Sequence, residues 1–193
     1  MATEVSSLPA YVCAVANLVA VVALATVLAP GTTLADDTTR AAYVREHLAL
    51  WRIGWATWIA AAASLIWFYA WWRARVGGGS LALAIAVAGF AADLVAESLL
   101  IAVVPDRPEL ARPAFVLTGG LANGAYSVAG AALSLRTPAL RGALVPWTAA
   151  VWGAGLALAA FAVLDVPVGI AGATAVLFAL FLPWLLVVGR RLG

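Results

Sequence analysis

The chain has 193 residues, 65% of them hydrophobic and only 10% charged, with a mean hydropathy of +1.04 and a formal net charge of +2. Soluble domains carry about a quarter charged residues, so a water-soluble fold would lack its polar surface, and a small net charge without any basic run argues against a nucleic-acid partner. All 11 basic residues are arginine and there is one Cys13 and one His47; these counts exclude a Schiff-base lysine, an internal disulfide, a Cys-rich metal site and a bis-His haem.

The first predicted element is a membrane helix over roughly 9–29, with Cys13 and Asn17 on it and Pro30-Gly31 at its end. A secretory leader is the competing reading, because Thr33-Leu34-Ala35 resembles a cleavage site. Glu4 opposes it, standing where a leader is basic, and the apolar run of about 20 residues exceeds a leader's core but suits a bilayer about 30 Å thick. The following loop, about 30–51, is predicted to be partly helical, since Val44, Leu48, Trp51, Trp55 and Trp58 recur at helical spacing. Asp36 or Asp37 caps its start. The second span, roughly 52–72, is therefore expected to project two or three turns beyond the membrane or to bend along its surface.

Gly77-Gly78-Gly79-Ser80 turns the chain into a third span over roughly 80–104, which carries Asp93 and Glu97. Pro105-Asp106-Arg107-Pro108 closes it, and Pro113 suits the first turn of a fourth span over roughly 113–135. That span holds Asn123, Tyr126 and a small-residue stripe of Gly120, Gly124, Ser127, Ala131 and Ser134, which predicts close helix packing, with self-association as a further reading. Thr137-Pro138 and Asp165-Val166-Pro167 mark the connections to spans over roughly 143–163 and 166–188, and Pro183 predicts a kink in the last.

The predicted fold is an all-α integral membrane protein, one bundle of six transmembrane helices covering the whole chain. Tryptophans and tyrosines near the span ends are read as interface residues. Arg73, Arg75, Arg136, Arg141, Arg190 and Arg191 fall on one side, and Arg40, Arg45, Arg52, Arg107 and Arg112 on the other, with most of the acids. The positive-inside rule then puts both termini in the cytoplasm, the membrane being taken as a bacterial cytoplasmic membrane. Spans one to three and four to six resemble an inverted repeat only in placing Asn17 and Asn123 alike.

Asp93 and Glu97 are the residues that point to chemistry. Four apart on one helix, they share a face one turn apart. An acid at mid-bilayer costs about 2.5–3.5 kcal/mol and usually faces a polar interior. The structural alternative is a clamp whose carboxyls bond to neighbouring helices. The candidate ligand or ion site is Asp93 and Glu97 with Asn17, Asn123, Tyr126 and Ser127, and with Arg52 reaching inward to Glu97; its alternative role is anchoring at the headgroups. No phosphate-binding loop, H-E-x-x-H or Cys-x-x-Cys occurs, and no catalytic residue, metal set or cofactor is assigned. Three functions follow in order: a small transporter or membrane-embedded ligand-binding protein, taking a small molecule, lipid or cation; a noncatalytic subunit or assembly factor with a membrane-protein partner; and a lipid-modifying enzyme using the two acids.

Overall fold

The computed structural model describes residues 7–33 and 36–193. Glu4 and the Leu34-Ala35 part of the cleavage-like stretch lie outside the described residues. Among the described residues every regular element is helical. Five helices are both long and apolar enough to cross a membrane: Leu8–Thr32, Leu48–Val76, Ser80–Ala102, Gly142–Val163 and Pro167–Leu192. They agree with five of the six predicted spans to within about a turn at each end. Val15, Leu18, Val19, Leu81, Val87, Val168 and Val176 stand exposed on their outward faces. Water-soluble monomers rarely present so much contiguous apolar surface. The chain is an all-helical membrane protein.

The first span is α1 (Leu8–Ala23), a π-helical turn (Leu24–Leu28) and α2 (Ala29–Thr33) in unbroken succession. A separate helix, α3 (Asp37–Glu46), precedes α4 (Leu48–Val76) and α5 (Ser80–Ala102). The predicted fourth span differs from expectation. The chain is helical from Ala111 to Leu135, but in three pieces: α6 (Ala111–Phe115), a π-helical stretch (Val116–Ala122) and α7 (Asn123–Leu135). It is not among the helices that are long and apolar enough to cross a membrane. Thr118, Gly119, Gly120, Asn123, Gly124, Tyr126 and Ser127 crowd its middle and dilute its apolarity. α8 (Val145–Val163) and α9 (Pro167–Leu192) complete the chain, and α9 continues as one helix through Pro183.

The helices form a closed ring. α1 packs on α4, α4 on α5, α5 on α7 and its π-helical stretch, α7 on α8, and α8 on α9, which returns to α1. Short connections make sequence neighbours antiparallel. At the first of them Gly77 ends α4 in the left-handed region, φ 67°, which glycine adopts without strain. The small-residue stripe is used inside the ring. A methyl group at Gly120 would stand 2.9 Å from Val163, and one at Gly124 3.5 Å from Ala159, so both glycines face α8.

Most of the tryptophans turn inward. Trp51, Trp72 and Trp184 are fully buried and Trp55 and Trp152 nearly so, while Trp67 stays exposed. The large rings fill the bundle interior, where small alanines and glycines leave room for them. Burial requires their N–H groups to find acceptors. Trp51 donates to the Leu100 carbonyl at 2.7 Å, Trp72 to Thr137 at 2.9 Å, Trp152 to Ser134 at 2.8 Å and Trp184 to Thr148 at 3.0 Å. Cross-helix hydrogen bonding turns these rings inward at the depth each holds along its helix.

α3 closes one end of the ring. Asp36 caps it by accepting the Thr39 N–H at 2.7 Å, and that hydrogen bond holds the exposed Asp36 carboxyl below its ordinary 3.8. Tyr43 donates to the Val27 carbonyl at 2.7 Å. Val44 sits in an apolar cluster with Leu28, Trp51, Trp55, Leu100 and Val104, which ties α3 to three spans. His47 breaks the backbone between α3 and α4. At 1.5 Å per residue the 29 residues of α4 extend about 43 Å, so it also overshoots a bilayer core of about 30 Å.

Candidate functional site

α5 turns one stripe to the interior: Ala82, Ala86, Gly89, Asp93, Ala96, Glu97 and Leu100 are all buried. Gly89 sets how closely α7 approaches. A methyl there would stand 2.8 Å from the Ala125 Cβ and 3.2 Å from the Ala122 carbonyl oxygen, so only glycine permits this spacing. One turn further along, the same approach brings Tyr126 to Asp93. The Tyr126 hydroxyl donates to Asp93 Oδ2 at 3.1 Å, and the Tyr126 carbonyl accepts from the Tyr69 hydroxyl at 2.8 Å. Thr118 is the other neighbour of the Asp93 carboxyl, whose Oδ1 makes no hydrogen bond of normal geometry among the described residues.

Glu97 is 0% exposed, and neither of its carboxyl oxygens has a hydrogen-bond partner among the described residues. A buried polar group without a partner costs its full desolvation, so such groups are rare in folded proteins. The antiparallel register set by Trp51 and Leu100 places Glu97 level with Trp55, and Asp93 level with Trp58. Trp55 and Trp58 carry indole N–H groups that likewise lack acceptors.

Both π-helical segments lie at this depth. Leu28, in the first, packs against Gly54 of α4, where a methyl would come within 2.7 Å of it. Val116–Ala122, in the second, precedes Tyr126 and packs on α5 and α8. π-helical bulges recur at functional sites because they re-aim side chains and release carbonyls from the regular ladder. The Thr118 carbonyl accepts from Asn123 Nδ2 at 2.9 Å, and the Val27 carbonyl from Tyr43.

The residues proposed from the sequence divide into three groups. Asp93, Glu97 and Tyr126 meet between α5 and α7. Asn17, Asn123, Tyr126 and Ser127 line a small central cavity with Tyr69, Trp152 and Phe178. Tyr126 belongs to both, lining the cavity while its hydroxyl donates to Asp93. The cavity measures about 40 Å³ by the space open to water centres, enough for a few waters and far below the several hundred Å³ of a substrate pocket. Asn17 donates within its own helix to the Cys13 carbonyl at 2.9 Å, and Ser127 to the Asn123 carbonyl at 2.8 Å.

Arg52 stands apart. It is exposed and donates to the Ile101 carbonyl at 3.2 Å, so it does not turn inward to Glu97. Together with Trp51 it satisfies carbonyls in the last turn of α5, which have no partner within the helix and carry its negative dipole end. That local demand outcompetes a distant carboxyl. Ser98 is exposed and turned about 100° around the helix from Glu97. The sequence reading missed Thr118, Trp55 and Trp58. The signal available for Thr118 was its place two residues before the Gly120–Gly124 stripe; nothing marked the two indoles as unpaired.

Compared with known proteins, the chain matches no protein family, no curated protein and no solved structure.

Proposed function

We propose that the chain is a small membrane transporter or membrane-embedded ligand-binding protein whose working site is the acid pair Asp93 and Glu97. In this reading six helices cross a bacterial cytoplasmic membrane, both ends of the chain lie on the arginine-rich cytoplasmic side, and α3 covers the outer mouth. Leu121, Val128 and Leu135, exposed at seven-residue spacing, supply the lipid-facing stripe that a sixth span needs. The same stretch can remain only moderately apolar because the rest of its surface is packed against α5 and α8.

One observation carries the functional reading: the fully buried carboxyl of Glu97 has no partner. A structural clamp is stabilising only when its polar atoms bond across to neighbouring helices. Glu97 makes no such bond among the described residues, so packing does not explain why an acid stands there. Intramembrane acids that do not serve packing mark ligand, ion or proton paths.

Native mass spectrometry on protein extracted gently from its membrane tests this reading. The expected result is a bound small molecule or lipid that is lost in Asp93→Asn and Glu97→Gln. A stoichiometric protein partner retained by both variants, with no small ligand, would instead make the chain a subunit of a larger complex.

A further inference from the structure

Resting on that reading of the acid pair, we infer that the ion handled there is a proton, held on Glu97, with Asp93 as its charged partner.

A metal cation at this depth would need several oxygen ligands in one place. Four backbone oxygens near this depth are engaged by side chains. Val27 accepts from Tyr43, Leu100 from Trp51, Ile101 from Arg52 and Thr118 from Asn123. Among the described residues the two Glu97 oxygens and Asp93 Oδ1 are the buried side-chain oxygens without partners, and no group of three or more His, Cys, Asp or Glu side chains can hold a metal ion. A proton needs one carboxyl oxygen and no cage.

The two acids have different surroundings. Asp93 receives a hydrogen bond from Tyr126, which supports its carboxylate form. Glu97 receives none among the described residues, and an ionised carboxylate buried without a partner is the costliest state available to it. Asp93 and Tyr126 are the ionisable groups near enough to influence Glu97. The cations on neighbouring elements are turned elsewhere: Arg52 of α4 to Ile101, Arg112 of α6 to Asp165 at 3.1 Å and Arg40 of α3 to Asp37. Tyr43 of α3 donates to Val27, and His47 packs on the Tyr43 ring. Arg45 of α3 is exposed, and besides burial the influence on the Glu97 carboxyl is the negative charge of Asp93. Loading the site forms one O–H bond on a Glu97 carboxyl oxygen; the proton comes from a hydronium ion, which is left as water. Release reverses that step.

Infrared spectroscopy of the full chain in lipid reads this directly. At neutral pH the expected spectrum contains the C=O stretch of a protonated carboxylic acid. That band moves when glutamate is labelled with ¹³C, vanishes in Glu97→Gln and persists in Asp93→Asn. The labelling experiment uses the unaltered protein, so misfolding of a variant does not block the test. Finding only carboxylate bands would overturn the inference. So would a carboxylate band that moves when sodium chloride replaces choline chloride, which would make the ion a metal cation. A protonated band that survives glutamate labelling unmoved and disappears in Asp93→Asn would place the proton on the wrong acid. These outcomes are separable from the ligand test, because a ligand lost in both acid variants keeps the acid-pair site whichever ion it handles.

Discussion

Gly89→Ala is the substitution that best probes how the site is assembled. The added methyl would stand 2.8 Å from the Ala125 Cβ and 3.2 Å from the Ala122 carbonyl oxygen, both on the fourth helical stretch. Carbon atoms in good contact sit about 3.5–4.0 Å apart, so α5 and α7 must separate by about 1 Å. Overpacking of this kind costs about 1–3 kcal/mol. The same displacement lengthens the 3.1 Å bond from Tyr126 to Asp93 beyond hydrogen-bond range. Hydrogen bonds between membrane helices contribute about 0.6 kcal/mol on average and at most about 1.7, so steric separation is the larger part of the loss. The assay is a double-mutant cycle with Tyr126→Phe, following unfolding in mild detergent by tryptophan fluorescence. Tyr126→Phe should destabilise the parent protein measurably and the Gly89→Ala protein hardly at all. Equal effects of Tyr126→Phe in both backgrounds, or unchanged stability of Gly89→Ala, would refute the proposed coupling between helix spacing and the Tyr126–Asp93 bond.

Trp51→Phe removes the 2.7 Å bond to the Leu100 carbonyl; unfolding in detergent should become easier by about 0.6–1.7 kcal/mol. Asp36 provides a pH test on α3. Its folded value lies below 3.8 because it accepts the Thr39 N–H. A lowered folded value means that the cap's contribution is complete above the unfolded value and is lost as pH falls through the folded one. Hydrogen-exchange protection of α3 should therefore fall in acid below about pH 3.8, and Asp36→Asn, which still caps but does not ionise, should remove that dependence.

Five spans were legible because hydropathy, prolines and glycines report directly on length and ends. The loop helix was legible in its apolar stripe, although Asp36 caps a separate α3 and the backbone breaks at His47 instead of running straight into α4. What composition does not encode is which way a side chain points. Trp72 and Trp184 read as interface residues because indole suits headgroups, but nothing in the sequence showed that their N–H groups turn inward to Thr137 and Thr148 on facing helices. Arg52 was paired with Glu97 on reach alone, and the unpaired carbonyl of Ile101 lay closer. The break in the fourth stretch was hidden because π-helical turns leave no mark in hydropathy. Its small-residue stripe from Gly120 to Ser134 predicts close packing, which Gly120 and Gly124 satisfy against α8. Asp93 and Glu97 stood out from the sequence because ionisable residues are so costly at that depth. The structure adds that Tyr126 is the partner of the first and that the second has none among the described residues.

The most direct measurement of whether Glu97 is there for function is the thermal stability of Glu97→Leu and Glu97→Gln in lipid nanodiscs. Replacing an unpartnered buried carboxyl by an apolar side chain of similar size removes a desolvation cost and no hydrogen bond. The account predicts that Glu97→Leu melts at or above the temperature of the parent protein, that Glu97→Gln melts close to it, and that both fail to retain the bound ligand. A marked fall in melting temperature for both variants would show that the carboxyl holds the bundle together, and would make the acid pair part of the scaffold.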